Sequence, residues 1–233
     1  MINKVHCFFE QSGTFKNEFL KLGIQAADYD LKNDFLQTDV QIDLFQEIRN
    51  AYYHSSSIFD NIRSDDLIMA FFPCVRFEQQ YILSFTCNGF HQCNWSFNDK
   101  IESSLRSISE VSDFYALWNM LFSVCYDRKL RLIVENPYSS QHFIIRYWFQ
   151  KPSLIDYDRR LRGDYYKKPT AYWFLNFSPA NNIIFEPLRY NAFDSNIVDL
   201  RSEDYKSIAN NREVARSLIH KDYANRFIRE YIL

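Results

Sequence analysis

The sequence predicts an α/β protein built on a mostly parallel sheet with helices on both faces. Short apolar runs (Val5–Phe9, Ile24–Tyr29, Asp66–Cys74 and Leu130–Glu135) alternate with segments of helical periodicity. The stretches between these runs are about ten residues or longer, as crossovers between parallel strands require, whereas tight hairpins join antiparallel neighbours. Leu67–Phe72 and Leu132–Val134 are apolar at every position, the mark of strands covered on both faces.

Each element follows from its residues. Val5-His-Cys-Phe-Phe9 is a first strand and Gln11-Ser-Gly13-Thr a turn. Phe15, Phe19, Leu20 and Leu22 then form a helical apolar face that ends at Gly23, a C-terminal cap. Ile24–Tyr29 is a second strand closed by Asp30. Val40, Ile42 and Leu44 alternate around Asp43 as a short third strand, and Leu44–Tyr53 is helical. A polar loop, Ser55–Asn61, leads to the Asp66–Cys74 strand. Pro73 cannot continue a ladder, so the chain turns there and delivers Cys74 to the carboxyl end of the strand. Residues 76–100 are aromatic and polar without clear period, which reads as a long loop or lid. Ile101–Tyr126 is a long helix, with Ile108, Val111, Leu117, Leu121 and Val124 as its apolar residues.

Leu132-Ile-Val-Glu135-Asn136-Pro137-Tyr138 repeats the earlier design: apolar strand, carboxylate, proline stop. Gln141–Trp148 reads as a short helix, Ser153–Tyr157 and Tyr172–Asn176 as strands, 178–210 as irregular, and Arg212–Leu233 as a helix. No repeat, low-complexity tract or linker divides the chain, so residues 1–233 form one domain with 76–100 as an insertion.

Composition narrows the classes. The 233 residues are 47% hydrophobic and 18% aromatic, ample for a core. Only 4 glycines argue against a glycine-rich phosphate loop. No apolar run reaches the roughly 18 residues of a membrane span, and Met1–Phe9 lacks the apolar core of a signal peptide. Five cysteines at irregular spacing read as reduced thiols, so a cytoplasmic protein is expected. Residues 1–140 carry 12 Lys and Arg against 18 Asp and Glu, and residues 141–233 carry 15 against 11. Only the C-terminal part therefore offers a basic surface for phosphates.

Several residues could carry chemistry. Gly13, before a helix N-terminus, suits the turn that approaches an anionic or zwitterionic cofactor, and Asp30, at the end of the second strand, suits ribose hydroxyls. Asp43 could accept from an adenine amino group. The plain alternative is an ordinary strand–helix turn with surface acids. Cys74 is a candidate nucleophile, whereas Cys7 and Cys125 read as core fillers. Glu135, directly after a buried apolar run, must be paired or bind something. Cys87-x3-His91-x-Cys93 lacks a fourth ligand and the usual spacing of a zinc site, so no metal is expected. Tyr165, Tyr166, Tyr172, Trp173 and Phe174 beside Lys167 and Lys168 could stack bases, with core packing as the competing reading for Tyr172–Phe174. His220 reads as a surface residue.

Phe72-Pro73-Cys74 resembles the Phe-Pro-Cys or Pro-Pro-Cys loop of DNA cytosine-C5 methyltransferases, and Glu135-Asn136-Pro137 their Glu-Asn-Val element. Phe9-Glu-Gln-Ser-Gly13-Thr-Phe15 is similar to their Phe-x-Gly-x-Gly loop. Arg162-Gly163-Asp164-Tyr-Tyr-Lys167-Lys168-Pro169-Thr170 and Arg216-Ser217-Leu-Ile-His220 look like later segments of compact members. These matches fall in the family's order and span almost the whole chain.

The resemblance implies a Rossmann-like S-adenosylmethionine-dependent methyltransferase fold and methyl transfer to cytosine C5 in DNA. Cys74 would attack C6 and Glu135 would hold the ring. Phe9, Gly13, Asp30, Asp43 and Pro73 would surround S-adenosylmethionine, and Asn136, Arg160 or Arg162, Lys167 and Lys168 would contact the substrate. Three positions depart from the pattern: Gln11 stands at the first loop glycine, Val75 follows the cysteine where glutamine is common, and Pro137 replaces valine. About forty residues separate Thr170 from Arg212, too few for a folded target-recognition domain. Two alternatives are a non-catalytic relative that binds a nucleotide, nucleic acid or protein partner, and an enzyme acting on free nucleotides or RNA.

Overall fold

The computed structural model describes residues 2–87, 89, 92–186, 198 and 202–233. Its strands are β1 (Lys4–Phe8), β2 (Gln25–Asp30), β3 (Val40–Gln41), β4 (Leu67–Phe71), β5 (Arg131–Pro137), β6 (Leu154–Asp156) and β7 (Thr170–Leu175). They form one seven-stranded sheet in the order β3-β2-β1-β4-β5-β7-β6. The pairs from β3 to β5 are all parallel, while β7 runs antiparallel to both β5 and β6. The fold is therefore α/β with a mostly parallel sheet, and β3-β2-β1-β4-β5 follows the doubly wound order of Rossmann-like sheets. The reversal of β7 was not expected from its sequence, because an apolar strand looks the same in either direction.

The helices are α1 (Thr14–Lys21), α2 (Leu44–Tyr52), α3 (Gln79–Leu83), α4 (Phe97–Asp127), α5 (Phe143–Tyr147), α6 (Arg212–Ser217) and α7 (Lys221–Phe227). Side chains alternate across the central strands with the period of two that a pleat imposes. Phe8, Ile68, Ala70, Leu132, Val134, Ala171 and Trp173 face one core, shared with α2, α4 and α5. Val5, Cys7, Leu67, Met69, Ile133, Tyr172 and Phe174 face the other, covered by α1, α7 and the wide helical turn Ile228–Ile232. Cys7 and Cys125 are core residues. Among the described residues no helix is long and apolar enough to cross a membrane.

Several elements differ from expectation. The third strand is only Val40–Gln41, and Asp43 instead caps α2, its Oδ1 accepting from Phe45 N (3.0 Å) and Gln46 N (3.1 Å). Residues 76–100 are not one loop: α3, a 3-10 turn at Ser84–Thr86 and the first turn of α4 lie within them. Ser96 and Asp99 form a reciprocal capping box that starts α4 at Phe97, four residues before the apolar periodicity begins. The segment after Arg212 is also not a single helix. Asn211 caps α6 by accepting from Val214 N (2.8 Å), and the His220 ring caps α7 by accepting from Asp222 N (3.1 Å). Apolar spacing persists across the break and hides it.

Candidate active site

Doubly wound sheets bind ligands outside the carboxyl ends of their strands, where neighbouring connections leave in opposite directions. Here that crevice lies beyond β1, β4 and β5. A cavity of about 200 Å³ opens there, walled by Phe9 to Ser12 after β1, Phe72 to Cys74 after β4, and Glu135 with Pro137 on β5. Lys168 and Ser217–Ile219 close another side, and Phe35 reaches in from the loop after β2. Of the residues singled out in the sequence, Phe9, Pro73, Cys74, Glu135 and Lys168 line this one cavity.

The first wall is shaped by an acid that sequence reasoning missed. Phe9 has φ 60 and Gly13 φ 64, so the chain leaves β1 and enters α1 through two left-handed residues. Glu10, between them, is buried and folds its carboxylate onto the α1 N-terminus, accepting from Phe15 N (2.7 Å) and Lys16 N (3.2 Å). Those amides therefore already have an acceptor. Burial pushes the Glu10 carboxyl up to about 7, against the pull of the two amides.

A buried Lys16–Asp28 pair (3.1 Å) continues to Asp39 (3.2 Å) and to the carbonyl of Gln37, tying the loop after β2 over this wall. A Cβ on Gly13 would stand 3.2 Å from both Asn17 Nδ2 and Gln37 Cβ, so the glycine permits that closure. Gln11 Oε1 is buried in the wall with no hydrogen-bond partner among the described residues. Asp30 lies at the end of β2, its carboxyl raised by burial and accepting from Lys32 N (2.8 Å). Asp30 and Asp43 are not part of the cavity lining.

The second and third walls are joined through Asn136. Fully buried, it donates from Nδ2 to Phe72 O (2.7 Å) and Glu135 O (2.9 Å), bolting the turn that bears Cys74 onto β5. The Cys74 thiol donates to Glu78 Oε1 at 3.2 Å. Burial, followed by the Glu78 charge, pushes this thiol up to about 12.

Glu135 is buried, and its Oε1 stands 3.5 Å from Arg159 Nη1. That separation is an ionic contact, and Oε1 accepts no hydrogen bond among the described residues. Arg159 is itself fully buried, 2.5 Å from Asp164 and stacked 4.4 Å from the Tyr223 ring centroid. Neither Arg159 nor Glu78 was singled out by sequence. A carboxylate that must be buried after an apolar run calls for a cation, but three arginines in Asp158-Arg-Arg-Leu-Arg162 compete for that role.

The structure resolves that competition. Arg160 pairs with Asp158 (2.6 Å), and Arg162 pairs with Glu230 (2.9 Å) and Asp156 (3.2 Å). Neither lines the cavity; Lys167 is exposed beside it in sequence. Tyr172 and Trp173 are fully buried and Phe174 nearly so, so these aromatics pack the core and are not surfaces for stacking bases. Cys87 is buried and Cys93 exposed, and His91 lies outside the described residues. No group of three metal-ligating side chains occurs among the described residues. Comparison with known protein families and with curated proteins finds no match for this chain.

Proposed function

We propose that this protein transfers a methyl group from S-adenosylmethionine to C5 of cytosine, in DNA first of all, through a covalent adduct on Cys74. The observation that carries the proposal is the convergence of Cys74 and Glu135 on one cavity at the crevice of the sheet. A thiol and a carboxylate with an unmade hydrogen bond are what addition across a pyrimidine C5–C6 bond calls for.

In this reading Cys74 adds to C6 and so makes C5 electron-rich. Glu135 meets the N3 edge as a hydrogen-bonding acid, donating to N3 as the ring becomes electron-rich. Arg159 and Asp164 fix Glu135 from behind, and Asn136 keeps the two strand ends in register. Bound S-adenosylmethionine would supply an electrophilic methyl group. Phe9, Pro73, Gly13 and the unpartnered Gln11 Oε1 suit its amino-acid end, with Asp30 for the ribose and Asp43 toward the adenine. Lys168 at the cavity, with Lys167 beside it, would meet the phosphates flanking a base turned out of its stack. Arg160 and Arg162 would first have to release their carboxylates.

One observation favours a second reading, in which the cavity binds a nucleotide or base without methyl transfer. At about 200 Å³ it falls below the roughly 300–1,000 Å³ of drug-sized ligand sites, and the Gln37 loop closes on Gly13. Calorimetry with S-adenosylmethionine and transfer of labelled methyl to cytosine-containing DNA test both. The first reading expects saturable binding weakened in Asp30→Ala and transfer abolished in Cys74→Ser. Absence of binding at millimolar donor, or full activity in Cys74→Ser, refutes it.

A further inference from the structure

The thiol and Glu78 pose a chemical problem that the methyl-transfer reading alone leaves open. A thiol pushed up to about 12 is ionised at neutral pH in roughly one molecule in 10⁵. The charged groups acting on Cys74 are Glu78, Lys168 and Glu135. Lys168 is a cation with no lone pair to accept a proton, and Glu135 is held by Arg159. Among the described residues, Glu78 alone is in hydrogen-bond contact with the sulfur, at 3.2 Å.

That contact is built into the backbone. Phe77 N donates to Cys74 O at 2.8 Å, closing a turn that brings residue 78 back over residue 74. Glu78 O then accepts from Tyr81 N (3.0 Å) and Ile82 N (3.1 Å) and starts α3. Arg76, two residues before Glu78 in sequence, is drawn to Glu110 on α4 (3.1 Å) and stacks 4.7 Å from the Tyr81 ring centroid. Tyr81 also binds Glu110, so the turn is fastened to α4 from two residues.

Resting on the methyl-transfer reading, we propose that Glu78 is the base that takes the Cys74 proton as the sulfur adds to the pyrimidine. In this step the S–H bond breaks and its proton passes to Glu78 Oε1. A sulfur electron pair forms the S–C6 bond, and the C5=C6 π pair moves to C5 and into the ring. The negative charge leaves the Glu78 carboxylate and appears on the ring, where Glu135 donates a hydrogen bond to N3, so charge is conserved. Proton loss coincides with bond formation, and no free thiolate accumulates.

The test measures two properties of Glu78→Gln that an electrostatic role would move together and a base role moves apart. The first is alkylation of Cys74 by iodoacetamide against pH, followed by peptide mass spectrometry, which needs neither methyl donor nor nucleic acid. Removing the carboxylate charge eases thiolate formation, so the alkylation midpoint falls and neutral-pH alkylation speeds up several-fold. The second is single-turnover methyl transfer to a cytosine-containing oligonucleotide. It slows by about 100-fold or more at pH 7 and becomes steeply pH-dependent, while Glu78→Asp recovers part of the rate. An alkylation midpoint unchanged from wild type overturns the inference, and a wild-type circular dichroism spectrum and urea midpoint for Glu78→Gln guard against misfolding, which would also expose the thiol. Equal or faster methyl transfer in Glu78→Gln overturns the inference alone. A wild-type protein that transfers no methyl overturns the underlying reading and this inference with it.

Discussion

Glu10 makes stability respond to pH in a direction unusual for a carboxylate. Its native value near 7 lies above the ordinary 4.5, so between those values the folded protein holds a proton that the unfolded chain has released. Stability from this group is complete below pH 4.5 and is lost as pH rises through about 7. At 1.36 kcal/mol per pH unit the loss is about 3 kcal/mol.

His142 works the opposite way. Burial lowers its imidazole to about 4, so its contribution is complete above pH 6.5 and is lost as pH falls through about 4, again by about 3 kcal/mol. Between pH 4.5 and 6.5 the two slopes nearly cancel in the wild-type chain. Glu10→Gln should expose the His142 slope, with stability rising by about 3 kcal/mol from pH 4 to 6.5 and levelling off above. His142→Phe, which keeps a ring against Phe77, should expose a fall of similar size from pH 4.5 to 7. Urea unfolding at half-unit pH steps measures both; the difference from wild type isolates the removed group, rising by about 3 kcal/mol from pH 4.5 to 7 for Glu10→Gln and falling by about 3 kcal/mol from pH 4 to 6.5 for His142→Phe. A Glu10→Gln profile parallel to wild type would refute the reasoning, because the buried carboxyl would then titrate alike in folded and unfolded chains.

Arg159→Met should destabilise the fold by about 3–5 kcal/mol in urea, since it strands Asp164 and Glu135 in the interior; a loss below about 1 kcal/mol would mean the triad is hydrated. Asp43→Ala should cost about 1 kcal/mol as a lost helix cap, with donor affinity by calorimetry unchanged if the cap is its whole role. Gly13→Ala meets both a φ of 64 and a crowded Cβ, and should cost roughly 1–2 kcal/mol while weakening any ligand held against the Gln37 loop.

The central strands were legible because burial on both faces writes itself as unbroken apolar runs, and Pro73 and Pro137 mark where β4 and β5 stop supporting a ladder. That Cys74 and Glu135 line one cavity follows from the same runs, Cys74 lying just past the end of β4 and Glu135 near the carboxyl end of β5. Asp43 misled because alternation around one acid looks the same in a strand and in a strand-to-helix junction. Arg159, Glu78 and Glu10 escaped notice because their roles depend on geometry that spacing does not encode. Arg159 lies in a 3-10 turn that points one of three arginines inward, Glu78 in a backbone turn, and Glu10 in an acid folded back onto a helix end.

The covering of one sheet face by α7 has a consequence for how the chain is made. Glu18 on α1 accepts from Asn225 on α7 at 3.0 Å across 207 positions, and Phe227 packs on Phe15 and Tyr172. During synthesis the apolar flank formed by Val5, Phe15, Met69 and Ile133 therefore stays open until Phe227 and Ile228 have left the ribosome. Contacts so distant in sequence slow folding and leave nascent chains sticky in the interval. Release of truncated chains ending before residue 221 should thus yield aggregation-prone, chaperone-bound species, so the closure of this face waits on α7.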